Sequence, residues 1–363
     1  MKATQILHNL GQSLWLDNIT RDLLDSGTLK QYINDLSVTG LTSNPTIFDH
    51  AIKNSTAYDA TVRKLAKQES SEEVFFELAL EDLTRAADLF RPIFDETNGV
   101  DGWVSLEVSP TLAHDTASTL AAAKDLFARA ARPNLLIKIP GTREGLPAIE
   151  EAIFSGIPVN VTLLFSREQY VAAAEAFLRG IERRVEAGLN PNVGSVASVF
   201  ISRWDAAVAN KTPEALHNEL GIAIAKRTYK AARALLSSPR WTRIYNLGAR
   251  PQRLLWASTG TKDPKASDIL YIKSLAAPFT VNTMPEGTLK ALATHTELGD
   301  LLPADGGNCE EVIAQFTKTG IDVDALAVQL QNEGAESFVK SWDDLMSVIS
   351  SKSATLKSSV VKA

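Results

Sequence analysis

The sequence predicts an α/β chain folded as a single (β/α)8 barrel (TIM barrel), and two observations carry that reading. Eight short apolar runs recur along the 363 residues, most of them closed by turn residues, and stretches of helical periodicity lie between them. Eight is also the number of parallel strands that closes such a barrel. The runs are SLWLDNI (13–19), VTGLTSN (38–44), GWVSLEVSP (102–110), NLLIKIPGT (134–142), PVNVTLLF (158–165), VGSVASVFIS (193–202), RLLWASTG (253–260) and PFTVNTMP (278–285). A near-continuous run such as NLLIKIPGT has the pattern of a parallel strand covered on both faces. The helical stretches include EDLTRAADLFRPIF, TASTLAAAKDLFARA and REQYVAAAEAFLRGIERRVEAG, the last stopped by Gly188. An open doubly wound sheet is the alternative. No G-x-G-x-x-G follows the first strand, which counts against its dinucleotide-binding form.

Two connections are long, 45–101 with at least two helices and 203–252 with helices rich in Ala, Arg and Lys. The chain continues as helix after Pro285, and the polar tail 351–363 is expected to fray. With no repeat and no low-complexity linker, residues 1–363 read as one domain with helical insertions. The net charge of −6 and pI near 5.5 argue against a nucleic-acid or anionic-membrane partner, which needs a positive footprint. Cys309 is the only cysteine, so neither an internal disulfide nor a Cys-based metal cage is available. The opening MKATQILHNLGQSLWL lacks the apolar core of a signal peptide, and no stretch approaches the ~18 apolar residues of a membrane span. A cytoplasmic location is expected. The sequence leaves monomer and homodimer both open.

Several strands carry polar groups that an apolar environment would make costly. Lys138 sits inside NLLIKIPGT and shares a face with Leu136; Asp17 shares one with Trp15, and Glu107 with Ser105 and Ser109. Asn160 and Thr162 share a face, as do Ser198, Phe200 and Ser202. In a barrel the inward residues near the C-terminal strand ends build the active site. Parity therefore gathers Asp17, Glu107, Lys138, Asn160 and Thr162 in one mouth. Plainer readings stand beside this one. Lys138 could snorkel from an edge strand, Asp17 could cap the next helix, and Glu107 could be a structural partner of Lys138. The histidines at 8, 50, 114, 217 and 295 show no paired spacing and read as surface or cap residues, and the six tryptophans read as packing groups.

A lysine attacks a carbonyl only when neutral. Its free pKa is about 10.4, and apolar burial lowers it because the charged form loses hydration. Attack on a ketone gives a carbinolamine and, after loss of water, a protonated Schiff base that draws electrons from the neighbouring carbon–carbon bond. Cleavage then needs a base for a hydroxyl proton, and dehydration needs a proton shuttle. Asp17 and Glu107 suit those two tasks. The scheme requires no cofactor and no metal.

The segments LWLDNITR (14–21), VTGLTSNPTIF (38–48), SLEVSP (105–110), LLIKIPGT (135–142), VNVTLLFS (159–166), SVASVFISRWD (195–205) and WASTGTK (256–262) resemble the transaldolase family, Schiff-base-forming (β/α)8 enzymes of the pentose phosphate pathway, and most of all its longer bacterial members. The resemblance implies that Lys138 forms the Schiff base and that Asp17 is the acid/base for carbon–carbon cleavage. Glu107 would act through a water that Thr162 helps to place. Asn44 and Asn160 would bind hydroxyls of the three-carbon fragment, Thr42 would support Asp17 or the sugar, and Ser198 would hold the fragment's terminal hydroxyl. Arg203 and Ser258 would bind the substrate phosphate, Arg through a two-pronged hydrogen bond. Many members carry an arginine two positions after that serine, whereas this chain has Gly260, then Thr261 and Lys262; Lys262 is the expected replacement, against the alternative of a solvated lysine at a helix start. Phe200 lacks the hydroxyl that a tyrosine would offer to protonate a three-carbon enamine, which favours transfer over release. The implied reaction moves a dihydroxyacetone unit between sugar phosphates. The rivals are a lyase of the fructose 6-phosphate aldolase type and a sugar-phosphate-binding barrel without turnover.

Overall fold

A computed structural model of the chain describes residues 1–65 and 69–360. All eight expected strands form: β1 (Ser13–Asp17), β2 (Val38–Thr42), β3 (Val104–Glu107), β4 (Leu135–Pro140), β5 (Val159–Leu164), β6 (Ser195–Phe200), β7 (Arg253–Ala257) and β8 (Val281–Met284). They pair in parallel in chain order, and β8 returns to β1 to close the barrel. Alternation along each strand divides the core. Leu14, Leu16, Leu135, Ile137 and Ile139 point outward into the layer shared with the helices. Trp15, Leu136, Val196, Leu255 and Val281 belong to the interior cluster. Lys138 therefore faces the barrel axis, as its parity with Leu136 predicts.

Register then sets which polar groups are neighbours. Glu107 pairs with Lys138 and Lys138 with Asn160, one row across three strands, while Asp17 pairs with Thr42. The N-terminal end of the barrel is closed by a different polar set. Trp15 Nε1 donates to Asp101 Oδ1 at 2.9 Å, and Ser13 Oγ donates to the other oxygen of the same carboxylate. The buried Arg253 guanidinium donates to Ser13 Oγ at 2.7 Å and to the carbonyls of Val100 and Thr280, both at 2.9 Å.

Among the described residues, the insertion after β2 folds as three helices, Pro45–Asn54, Asp59–Leu65 and Ser71–Glu96. It is tied to the chain leaving β1 through Arg21, whose guanidinium donates to Asp82 Oδ1 at 2.9 Å and whose backbone amide donates to the Tyr58 hydroxyl at 2.8 Å; Tyr58 in turn donates to Asp82 Oδ2 at 2.9 Å. The insertion after β6 holds Ser202–Val208, Leu220–Leu236 and Pro239–Asn246. The 38-residue helix Val323–Val360 ends the fold, about 57 Å long at 1.5 Å per residue. Its Trp342 packs edge-on against Phe75 with centroids 5.0 Å apart. The expectation of a frayed tail from 351 is corrected as far as Val360. Helix continues to that residue, and Lys352 Nζ donates to the carbonyls of Ile52 at 2.7 Å and Ser55 at 2.6 Å while pairing with Asp59 at 2.8 Å. Polar composition hid a docking lysine whose acceptors lie some 300 residues away. No described helix is long and apolar enough to cross a membrane.

Gly40 in β2 shows how tightly the barrel floor is closed. A Cβ there would lie 2.6 Å from the Trp103 carbonyl oxygen and 2.7 Å from Trp15 Nε1, and neither neighbour is the free end of a flexible chain. Gly40→Ala is expected to destabilise the protein by about 1–3 kcal/mol, the usual cost of overpacking. Urea unfolding against wild type checks this, and an unchanged midpoint refutes it.

Candidate active site

The C-terminal strand ends open into a cavity of about 350 Å3. Ten of the twelve residues singled out in the sequence line it: Asp17, Thr42, Asn44, Lys138, Thr162, Ser198, Phe200, Arg203, Ser258 and Lys262. Glu107 and Asn160 sit beneath that lining and are buried. Lys138 is on the floor. Its Nζ donates to the Ser43 carbonyl at 2.8 Å and meets Glu107 Oε2 at 3.2 Å. The Ser43 hydroxyl in turn donates to the Ser105 carbonyl at 2.8 Å, which pins the end of β2 against β3 and holds that acceptor in place.

Asp17 does not cap the following helix. Thr20 does so, accepting from the Leu23 amide at 3.0 Å. Asp17 is left free to accept from Thr42 Oγ1 at 2.8 Å, and Thr42 also shares a 2.7 Å hydrogen bond with Thr283. Burial pushes the Asp17 carboxyl above the ordinary aspartate range, and Lys138 and the Thr42 hydrogen bond offset only part of that. Glu107 is likewise pushed up by burial, against the pull of Lys138 and with a smaller upward push from Asp17. Two carboxyls with raised pKa values beside one amine are suited to moving protons.

Two buried polar oxygens, Glu107 Oε1 and Thr162 Oγ1, have no hydrogen-bond partner among the described residues. Leaving such a group unpaired costs roughly 1–3 kcal/mol, so each is a place where a bound polar group would be favoured. Asn160 is committed within the protein: its Nδ2 donates to Ser105 Oγ at 3.1 Å, and its Oδ1 accepts from Ser198 Oγ at 2.7 Å. Asn44 caps the helix Pro45–Asn54 by accepting from the Ile47 amide at 3.1 Å, which directs that helix from the cavity wall.

The opposite wall is cationic. Arg203 has no ion pair within 4.0 Å among the described residues; its guanidinium lies 5.6 Å from the Phe200 ring centre and 6.0 Å from that of Phe338. Burial lowers its pKa, with Glu333 acting against that. A guanidinium held between rings with its donors uncommitted is ready for an anion. Ser258 adopts a left-handed backbone with φ 56° and shares a 2.8 Å hydrogen bond with Ser202 Oγ. That conformation costs a non-glycine residue about 1–2 kcal/mol. Lys262 is exposed at the rim of the same cavity.

Sequence reasoning missed Thr283, Ser337 and Phe338 in the lining. Thr283 was legible by parity with Val281 in β8. Phe338, whose ring centre is 5.9 Å from Lys138 Nζ, was not, because it arrives on the C-terminal helix 200 residues later.

A closed parallel barrel with a lysine, two carboxyls and an unpaired guanidinium around one polar cavity defines a class of site suited to carbonyl chemistry on a small anionic molecule. Comparison with known proteins narrows the class. The chain matches the family described as Transaldolase/Fructose-6-phosphate aldolase over residues 14–349. It is 45% identical over 352 residues to the Transaldolase of Thermobifida fusca (strain YX), covering 94% of this chain and 96% of that protein. Identity is 42% over 353 residues with the Transaldolase of Saccharopolyspora erythraea, covering 95% and 96%. It is 40% over 363 residues with Transaldolase 2 of Nostoc punctiforme, covering 94% and 95%. The chain belongs to the transaldolase/fructose-6-phosphate aldolase family. Relatives with that name, aligned over nearly the whole chain, support transaldolase function and hence a transferase.

The raised Asp17 carboxyl has a consequence for stability. A carboxyl whose folded pKa exceeds its unfolded value of 3.8 favours the fold fully below 3.8, and that contribution is lost as pH rises through the folded value. Asp17→Asn removes this half-buried charge. At pH 7.5 it is expected to melt about 1–3 °C above wild type, with the gap closing as pH falls toward 4. Thermal melts across that range check it, and a variant that melts below wild type at pH 7.5 contradicts it.

Proposed function

We propose that the chain transfers a dihydroxyacetone unit from sedoheptulose 7-phosphate or fructose 6-phosphate to glyceraldehyde 3-phosphate or erythrose 4-phosphate, through a Schiff base on Lys138. The observation that carries the reading is the amine of Lys138, buried on the floor of a polar cavity between Glu107 Oε2 and the Ser43 carbonyl.

In the proposed sequence, unprotonated Lys138 Nζ bonds to the ketone carbon, the carbonyl electrons move to oxygen, and a proton passes from the nitrogen to that oxygen to give the carbinolamine. Glu107, through a water that Thr162 helps to hold, delivers the proton that lets this oxygen leave as water. Asp17 then takes the proton of the hydroxyl on the far carbon of the scissile bond, the carbon that becomes the aldehyde. The carbon–carbon electrons flow into the iminium, an aldehyde departs, and a three-carbon enamine stays on Lys138. An incoming aldehyde reverses these steps, and water hydrolyses the new iminium. Asn44, Asn160 and Ser198 hold the fragment, Asn160 through a bonding pattern that must shift if it binds the sugar directly. Thr42 supports Asp17, and Arg203, Ser258 and Lys262 take the phosphate. Phe200 packs on Phe165 with centroids 5.3 Å apart and has no proton to give the enamine, which favours transfer over the lyase outcome. The proposal extends to a cytoplasmic monomer or homodimer in the non-oxidative pentose phosphate pathway.

The Lys138–Glu107 pair favours a second reading, a binding barrel whose lysine is structural. Borohydride decides between the two. Treatment in the presence of fructose 6-phosphate is expected to inactivate the enzyme irreversibly and to leave the mass of the reduced three-carbon fragment or whole sugar on the peptide containing Lys138. Full activity with no adduct refutes the Schiff-base reading.

A further inference from the structure

Thr162 Oγ1 lines the floor of the cavity, yet among the described residues no side chain holds it. What holds it is backbone. Regular alternation in β5 would put Asn160, Thr162 and Leu164 on one face and Leu163 on the other. Instead Leu164 packs with Val159 and Val161 in the outer layer, and Leu163 groups with Phe165, Phe200 and Phe338. The slip falls at Leu163, whose φ is 60°, and pairing between β5 and β6 is irregular between Val161 and Leu164. This is a bulge that re-aims a side chain beside the site.

Both carbonyls at the bulge are taken. Thr162 O accepts from the Gly141 amide at 2.7 Å, and Leu163 O accepts from Gln331 Nε2 at 2.9 Å. The same Gln331 nitrogen donates to the Gly141 carbonyl at 3.1 Å. Gln331 belongs to the helix Val323–Val360, and this part of the helix is seated closely. A Cβ on Gly334 would lie 3.0 Å from Leu163 Cδ2 and 3.3 Å from Arg203 Nη1.

We propose that Gln331 is a positioning residue: its amide clamps the ends of β4 and β5 together, fixes the left-handed turn at Leu163, and so presents the Thr162 hydroxyl to the lysine. The inference rests on the Schiff-base reading of the site. Gln331→Leu removes both donors at similar size. The readouts are kcat and KM for fructose 6-phosphate with erythrose 4-phosphate as acceptor, and the rate at which the borohydride-trappable intermediate builds up. Both are measured with Thr162 intact and in Thr162→Ala, because only coupled residues depart from additivity. In the Thr162 background kcat and the build-up rate are expected to fall about tenfold, part of what proton shuttling contributes, with KM within about twofold. In Thr162→Ala the same change is expected to have no further effect. Gln331→Glu, which keeps the shape and loses the amide donor, is expected to match Gln331→Leu and covers the case in which the leucine variant does not fold. Equal losses in both backgrounds, no loss at all, or a Thr162→Ala enzyme with wild-type kcat would each overturn the inference. Failure of the underlying reading looks different, because wild type itself then yields no adduct.

Discussion

The placement of one amine governs the rest. Lys138 lies in the middle of the barrel, 6% exposed, with Glu107 on one side and a backbone carbonyl on the other. A buried ammonium is tolerated only with such partners. The architecture follows from that need. Register sets Glu107 and Asn160 on either side of Lys138 in one row, and the hydrogen bond from Ser43 to the Ser105 carbonyl fixes the loop that supplies the second acceptor. A parallel barrel can surround one point with several strands in this way because every strand presents its C-terminal end to the same mouth.

Charge is arranged around that point with a clear asymmetry. Both carboxyls near Lys138 are pushed up by burial, whereas the far wall offers Arg203 without an ion pair among the described residues. The protein is acidic overall, yet this wall of the cavity carries two cationic side chains, Arg203 and, at the rim, Lys262, with the left-handed Ser258 turn between them. In the proposed reaction the floor holds the protonatable groups close together while the wall takes the substrate's negative charge.

Much of this was legible in the sequence because barrel strands obey two simple rules. Covered strands read as apolar runs, and alternation assigns each residue a face; Lys138 with Leu136 and Asp17 with Trp15 follow directly. Parity failed at Leu163, where the left-handed turn resets the count. It also says nothing of depth, so it could not separate Asn160, which lies beneath the cavity lining, from Thr162, which lies in it. Contacts from the C-terminal helix were out of reach for another reason. Phe338, Gln331 and Lys352 sit on a helix whose pattern reports only that one face is covered, and their partners are distant in sequence. A polar tail and a structural lysine anchor look alike until the acceptors are known.

The Schiff-base mechanism requires Lys138 to bond covalently to the ketone carbon. Oxygen exchange tests it most directly. Each cycle of iminium formation and hydrolysis replaces the ketone oxygen with one from solvent. Fructose 6-phosphate incubated with the protein in 18O-labelled water should therefore gain label at the ketone faster than it does without protein, and Lys138→Ala should reduce that exchange to background. Exchange by wild type no faster than background, or exchange undiminished in Lys138→Ala, would contradict the account.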